Sequence, residues 1–461
     1  MIPVCPAGRN MNITNESAGR KYIYVATFGC QMNEYDSERM LRLMAGQGFV
    51  PTADPAQADL ILVNTCSIRE KAAQKVYSLL GRLRPLKEKN PHLVIGVGGC
   101  VAQQEGEKLL DQAPFVDLVF GTHAVHLLPE LLEQASEKGR RVCSTDFNYE
   151  LAPAPGLGPK PAPLKAYLTI MQGCDNFCTY CVVPYVRGRE KSRRPEDILA
   201  EARDLLDHGV KEITLLGQNV NSYGRGLEPK ITFAELVRKI AGLPGLTRLR
   251  FTTSHPKDLS PDLIRAFSEV KPLCEHLHLP VQSGSTRVLK AMNRGYTRDD
   301  YLEKVAALRE ACPDLALTTD VIVGFPGESE ADFEATLDLI GRVRYDGMYS
   351  FKYSDRPMTK AARLPDKVDE AVKGRRLAEL QAVQKEITLE KNRALIGRRV
   401  EVLVEGKSGR YAQQLTGRTR TNKIVNFVGP ESLIGEPAEP VVIEAWANSL
   451  IGSLSPENDR N

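Results

Sequence analysis

At 461 residues the chain is too long for one ordinary domain, and its length suggests about three. An apolar share of 42% and a charged share of 26% are those of a folded globular chain and exclude wholesale disorder. Lys and Arg number 61 against 58 Asp and Glu, so the net charge of +3 gives no whole-chain sign of nucleic acid or membrane, although it can hide local polarity. The ten cysteines are the unusual entry in the composition. The N-terminus has no basic stretch followed by an apolar one, and no apolar run reaches membrane-spanning length. A cytoplasmic chain with no membrane partner is expected, its thiols kept reduced for metal binding or chemistry rather than disulfides.

In chain order, three units share one grammar. The predicted strands are Tyr22–Thr27, Leu60–Asn64 and Leu93–Val97, each followed by a helix: Glu34–Gly46, one carrying Arg69, Lys71 and Lys75, and Gln103–Leu110. Short continuous apolar strands alternating with helices predict a doubly wound parallel sheet. Each unit places one cysteine just past its strand (Cys30, Cys66, Cys100), at the sheet edge where ligand crevices open. Residues 151–164 hold five prolines and two glycines, which reads as a semi-rigid linker.

Beyond it, predicted strands at Ala166–Met171, Glu212–Gly217, Arg248–Thr253, His276–Val281, Leu317–Gly324 and Gly347–Tyr353 alternate with helices such as Pro195–His208, Asp299–Ala311 and Glu330–Arg342. Six such units predict a full or partial parallel (β/α)6 barrel with its functional groups on the loops after the strands. A charged helix over 367–395 ends that region. Short strands at Arg399–Glu405, Gln413–Thr416, Lys423–Val428 and Val441–Ala445 then predict a small antiparallel β-barrel. The expected division is 21–148, a linker at 149–165, a barrel over 166–395 and a β-barrel over 396–455.

Cys174, Cys178 and Cys181 form a C-x3-C-x2-C run directly after the first barrel strand. Three thiolates complete neither a four-ligand zinc site nor a ferredoxin loop. A 4Fe–4S cube held by three cysteines keeps one iron free to chelate a small molecule, much as catalytic zinc keeps one open position. Cys30, Cys66 and Cys100 are 36 and 34 residues apart, too far for a local motif. Three buried, inert thiols are an equal alternative on spacing alone. Gly29 and the Gly98-Gly99 pair favour a second three-cysteine cluster, because glycine lets backbone approach a bulky ligand. Cys5, Cys143, Cys274 and Cys312 fit neither set.

The run around Cys174, with Tyr180 just before its last cysteine, resembles the signature of the radical S-adenosylmethionine (SAM) superfamily. The strings TFGCQMNEYDSE (27–38), NTCSIREKAAQKVYS (64–78), GGCVAQQE (98–105), GCDNFCTYCVVPYVRGRE (173–190), LLGQNVNSYG (215–224), FTTSHP (251–256), LHLPVQSGS (277–285) and DVIVGFPGE (320–328) resemble the methylthiotransferase family within it. Gln31-Met32-Asn33 follows the branch acting on a dimethylallyl-adenosine beside the tRNA anticodon. Met358 and Lys360 depart from the family's Gly and Pro.

The resemblance implies two 4Fe–4S clusters, one on Cys30, Cys66 and Cys100 and a SAM-binding one on Cys174, Cys178 and Cys181. It implies that one SAM supplies a methyl group and a second a radical, and that a methylthio group arrives at carbon 2 of the adenosine. Side-chain acid–base help, typically 10²–10⁴-fold, would not open an aromatic C–H bond. A low-potential, flavodoxin-like electron donor and a sulfur donor are implied partners. SAM contacts are expected from Tyr180, Gln218, Asn219, Gln282 and Gly324, each of which equally suits an ordinary loop or turn.

From Lys391 to Pro430 there are nine Lys/Arg against Glu401 and Glu405, while Glu431 onward carries six acids and one Arg. The last module resembles the TRAM RNA-binding domain, with Arg398, Arg399, Arg410, Arg418, Arg420 and Lys423 expected on tRNA phosphates. A merely solvated basic face is the alternative. The run Arg187–Arg194 serves either phosphate binding or structure, and His255 and His278 read as packing or hydrogen-bonded residues rather than ligands. Other activities open to such a chain are methylthiolation of threonylcarbamoyl-adenosine or of a ribosomal protein. A different class is a non-catalytic iron–sulfur RNA-binding or redox-sensing protein.

Overall fold

The computed structural model describes residues 20–67, 70–137, 140–147, 151, 156, 163–409 and 413–455. Cys5, Arg69, Arg410 and most of the Pro-rich stretch 149–165 lie outside the described residues. The chain divides into two compact units. One runs to Pro161 and takes in Tyr167–Asp175 and Val182–Asp204. The other holds Ala162–Ala166, Asn176–Cys181 and the chain from Leu205 onward.

In the first unit, β1 (Lys21–Thr27), α1 (Gln31–Ala45), β2 (Phe49–Pro51), β3 (Leu60–Thr65), α2 (Glu70–Lys89), β4 (Val94–Gly99), α3 (Cys100–Glu105), α4 (Glu107–Gln112), β5 (Leu118–Phe120), α5 (Leu128–Ser136) and β6 (Val142–Ser144) follow one another. The strands form a six-stranded sheet in the order β2-β1-β3-β4-β5-β6, parallel throughout. Strand periodicity sends Leu60 and Leu62 into one core with Met40, Met44, Phe120 and Leu128. Ile61 and Val63 enter another with Val76, Leu80 and Leu109. Both faces are covered, which explains the unbroken apolar strands. The order reverses between β1 and β3, and such a reversal opens a crevice at the carboxyl ends. Strands β2, β5 and β6 went unrecognised because three residues carry no periodicity.

This unit also takes in most of β7 (Lys165–Thr169), β8 (Met171–Gln172), α6 (Val183–Val186), β9 (Lys191–Ser192) and α7 (Pro195–Asp207). Strands β8 and β9 pair antiparallel around the cysteine loop.

The second unit continues with β10 (Glu212–Leu216), α8 (Phe233–Ala241), β11 (Arg248–Phe251), α9 (Pro261–Glu269), β12 (His276–His278), α10 (Thr286–Ala291), α11 (Arg298–Ala311), β13 (Ala316–Val323), α12 (Glu330–Val343), β14 (Gly347–Lys352) and α13 (Glu370–Arg393). The Leu164 carbonyl accepts the amides of Lys211 and Glu212, starting the strand ladder at the head of β7. Strands β10–β11 and β12–β13–β14 pair parallel, joined by a bridge between Leu249 and Leu273. The expected β/α alternation is therefore a partial parallel barrel. Capping boxes open α8, α11 and α12 at Thr232, Thr297 and Ser329.

The last module is a six-stranded curled sheet. Strands β15 (Val402–Lys407), β16 (Gln414–Thr419), β17 (Ile424–Val428), β18 (Pro437–Ala438), β19 (Val441–Ala445) and β20 (Leu450–Ser453) lie in the order β18-β15-β16-β17-β20-β19. A bridge from Arg399 to Val441 closes the curl over Val402, Val404, Val425, Phe427 and Leu450. One expectation fails here: β17 and β20 pair parallel, so the sheet is not wholly antiparallel. The long return through β18 and β19 makes that pairing possible. Among the described residues no helix is long and apolar enough to cross a membrane.

Candidate functional site

The first unit gathers its three cysteines. Cys30 caps α1, Cys66 follows β3 and Cys100 opens α3, so the thiols stand at three neighbouring strand ends, two of them flanking the strand-order reversal. Glycine is required at the approach. A Cβ on Gly29 would lie 2.5 Å from the Cys66 Cβ, and one on Gly99 would lie 2.5 Å from both Asn64 Oδ1 and the Thr65 carbonyl. Their φ values of +135° and +91° also lie in the region glycine favours.

Side chains lace these ends together. Asn33 Nδ2 donates to Asn64 Oδ1 at 3.0 Å and to the Thr65 carbonyl at 2.9 Å. Asn64 Nδ2 returns a bond to the Asn33 carbonyl at 2.8 Å, and Thr65 Oγ1 donates to the Gly98 carbonyl at 2.6 Å.

Arg187, from the basic run, is buried here. Its Nη2 donates to Asp36 Oδ2 at 2.8 Å, with the two side chains 4% and 10% exposed. Burial opposes its charge, but Cys100, Asp36 and Cys30 together raise its pKa. The hydrogen bond from Cys66 and the Arg187 charge lower the Cys30 thiol to about 6 against its burial. Burial raises Cys100. The donor set suits an anionic iron–sulfur cube: three soft thiols, no Cβ at the approach, and a fixed guanidinium to balance charge. Among the described residues no three His, Cys, Asp or Glu side chains surround a single metal position.

The second cysteine run divides between the units. In the first, the Cys174 amide donates to the Gly188 carbonyl at 3.2 Å. Gly173, at φ +82°, has the Arg189 carbonyl 2.0 Å from where a Cβ would sit. In the second, Cys178 is buried, and Arg294 Nη1 lies 3.4 Å from its sulfur and 3.4 Å from the Tyr180 hydroxyl. His255 Nε2 is 4.0 Å from the same sulfur. Because its Nδ1 accepts from the Lys257 amide, the proton sits on Nε2 and faces Cys178. Burial, reinforced by Arg294, holds the His255 pKa far below its ordinary value, so the ring stays neutral. Thr179 pins the loop, its amide donating to Met292 and its carbonyl accepting from Ala361.

The expected SAM contacts are placed as follows. Tyr180 packs against Val288, Met292, Phe325 and Tyr353. Asn219 is buried and donates to Asp258 Oδ2 at 2.7 Å, while its Oδ1 has no hydrogen-bond partner among the described residues. Gln218, beside it, is half-buried. Gln282 has φ +72° and bonds β13 through its backbone. Gly324 has φ +73° and donates to Glu328 Oε1 at 2.9 Å. Met358 also has positive φ, where the family's glycine would sit without strain. Sequence reasoning missed Arg294, which no motif marks, while His255 is hydrogen-bonded, one of the two readings the sequence allowed.

The basic tail needs correction. Arg398 and Arg399 are exposed, and Arg410 lies outside the described residues. Arg420 instead grips Glu275 at 2.7 Å and the carbonyls of Lys271 and Leu273. Lys423 binds Asp346 and Asn392, and Arg418 pairs with Glu405 at 3.5 Å. A charge count cannot tell an outward side chain from one turned toward the barrel. The barrel answers with Arg248 and Arg250, which donate to the carbonyls of Arg418, Arg420 and Thr419.

Three family models match the chain: the Uncharacterized protein family UPF0004 over 22–121, the Radical SAM superfamily over 168–340 and the TRAM domain over 393–454. The chain is 52% identical to the tRNA-2-methylthio-N(6)-dimethylallyladenosine synthase of Syntrophus aciditrophicus, covering 96% of this chain and 98% of that one. It is 53% identical to the enzyme of the same name from Geobacter sulfurreducens, covering 94% and 97%. Among solved structures, the radical SAM methyltransferase TsrM of Kitasatospora setae shares the fold, with a TM-score of 0.56 at 15% identity over 74% of each chain. Identity above one half, sustained from the first cysteine domain through the curled sheet, places this chain in the family of tRNA-2-methylthio-N(6)-dimethylallyladenosine synthases.

Proposed function

We propose that this protein attaches a methylthio group to carbon 2 of N(6)-dimethylallyladenosine beside the anticodon of tRNA. The near full-length identity to relatives of that name carries the proposal. Residues 21–148 would hold an auxiliary 4Fe–4S cluster on Cys30, Cys66 and Cys100. Residues 166–395 would hold a SAM-binding one on Cys174, Cys178 and Cys181, and 396–455 would grip RNA. When bound, SAM and its cluster supply the radical chemistry that opens an unactivated C–H bond.

The chain's own residues hold and tune these sites. Arg294 and the neutral His255 place N–H groups toward the Cys178 sulfur, and such bonds adjust cluster potential. Tyr180 offers its ring to the adenine of SAM, with Asn219 and Gln218 for the methionyl group and Gln282 and Gly324 for the nucleoside. Arg187 balances charge at the auxiliary site. Arg398 and Arg399 meet phosphates. A low-potential, flavodoxin-like donor supplies electrons, a separate donor supplies sulfur, and the protein works in the cytoplasm.

The test is anaerobic incubation of reconstituted protein with SAM, strong reductant and tRNAs carrying either dimethylallyl- or threonylcarbamoyl-adenosine, then nucleoside mass spectrometry. A methylthio product from the first tRNA alone is expected. Product from the second alone would reassign the substrate. No SAM turnover with either would favour a non-catalytic RNA-binding protein.

A further inference from the structure

One face of the β12–β13–β14 sheet carries unusual side chains. Register pairs Asp320 with Tyr349 and Ile322 with Phe351, so these four share a face with His278 and Thr318. The opposite face holds Leu277, Leu317, Val321 and Val323, all buried. Tyr349 is 61% exposed and Phe351 39%, although both stand on a barrel strand. Two bare rings on a sheet are an apolar surface awaiting a partner. They are not loosely placed. The His278 ring meets Tyr349 edge-on at 6.1 Å, and its Nε2 lies 3.4 Å from Asp320 Oδ1. Helix α13 covers the other side of β14, where Gln381 donates to Ser350 and Lys352 pairs with Glu370.

The face leads to the cysteine loop. Ile322, next to Phe351 in register, packs against the same buried cluster (Val288, Met292, Phe325, Tyr353 and Ala361) as Tyr180, one residue before Cys181.

We infer that Tyr349 and Phe351 are the substrate-recognising residues: Tyr349 stacks on the modified adenine, and Phe351 lies against its apolar dimethylallyl branch. This rests on the function proposed above. The occupant fits the surface in three respects. A purine is planar and stacks on an aromatic ring whatever its sequence context. The five-carbon branch is apolar and meets a second ring two residues along the strand, roughly 7 Å away. The exocyclic N–H of the base needs an acceptor, which the Asp320 carboxylate beside Tyr349 provides. A base beside an anticodon is in a single-stranded loop, so it can reach such a face without breaking a duplex.

The test compares equilibrium binding of two anticodon stem-loop RNAs, one with dimethylallyl-adenosine and one with plain adenosine, to the reconstituted protein. Preference of the wild type for the first RNA tests the proposed substrate. The variants measured against wild type test the two rings. Tyr349→Ala should weaken both RNAs by about tenfold or more, while Tyr349→Phe restores wild-type binding. Phe351→Ala should weaken only the prenylated RNA, by about the same factor, and so erase the preference. Both positions are exposed, so melting temperatures should stay near wild type. Folded variants that bind both RNAs like wild type would overturn the assignment, as would a Tyr349→Phe loss equal to that of Tyr349→Ala.

Discussion

Arg294 directs one guanidinium nitrogen at the sulfur of Cys178, 3.4 Å away, while its other terminal nitrogen donates to the Pro280 carbonyl at 2.8 Å. A positive charge so fixed stabilises the electron-rich state of any cluster on that sulfur. Arg294→Met should lower the potential of the SAM-site cluster and slow 5′-deoxyadenosine release by roughly tenfold to a hundredfold, from the loss of a charged hydrogen bond. Redox titration followed by electron paramagnetic resonance, together with nucleoside chromatography, reads both effects. An unshifted potential would remove Arg294 from this role.

The glycine approach to the auxiliary site is open to a count of metal. Wild type should take up about eight irons per chain, four per cube. Gly99→Ala puts a methyl group 2.5 Å from Asn64 Oδ1 and the Thr65 carbonyl, and should leave about four, as should Cys66→Ala. Iron and sulfide analysis after anaerobic reconstitution decides it. Eight irons in either variant would mean that the second cluster lies elsewhere.

The buried Asp36–Arg187 pair gives a prediction on stability. Asp36→Ala removes the carboxylate paired with a guanidinium only 4% exposed, and should destabilise the first unit by about 3–5 kcal/mol. Urea unfolding of the cluster-free protein would show it. A loss below about 1 kcal/mol would mean that water reaches Arg187.

Arg398 and Arg399 should separate cleanly from Arg420. Arg398→Ala with Arg399→Ala should weaken tRNA binding and flatten its salt dependence, each lost phosphate contact removing roughly 0.7–0.9 from the logarithmic slope. Arg420→Ala should leave that slope unchanged and lower thermal stability, because its partners are Glu275 and two barrel carbonyls. Binding isotherms at several salt concentrations, with melting curves, test both.

Acid should loosen the barrel through His276. Burial, with Arg250, His278, Arg418 and Lys423 nearby, holds its pKa well below the ordinary 6.5. The unfolded chain therefore takes up the proton first. The stabilising contribution is full above about pH 6.5 and falls as pH drops below it, by at most about 1.4 kcal/mol per pH unit. His276→Gln should flatten that slope in urea melts between pH 7.5 and 5.5, and an unchanged slope would place the effect on another group.

Much of the molecule was legible because its signals are local. Cys30, Cys66 and Cys100 each follow an apolar run long enough to declare itself a strand, so their meeting at one sheet edge could be argued before any coordinates. The run from Cys174 to Cys181 is a motif in its own right. Arg294 was not legible: it stands in an ordinary turn after α10, and only the return of that turn beneath the cysteine loop gives it a role. Arg420 and Lys423 were misjudged for a related reason. Their charge is visible in the sequence and their direction is not. The exposure of Tyr349 and Phe351 was not legible, since alternation says which residues share a face but not whether anything covers it.

The way Arg248 and Arg250 hold the curled sheet has an evolutionary reach. Their anchors on residues 418–420 are carbonyl oxygens, which every amino acid carries. The turn can therefore change its side chains without loosening those bonds. Selection is left free to redraw the outward surface of the module for one tRNA population or another while its alignment to the barrel is inherited intact.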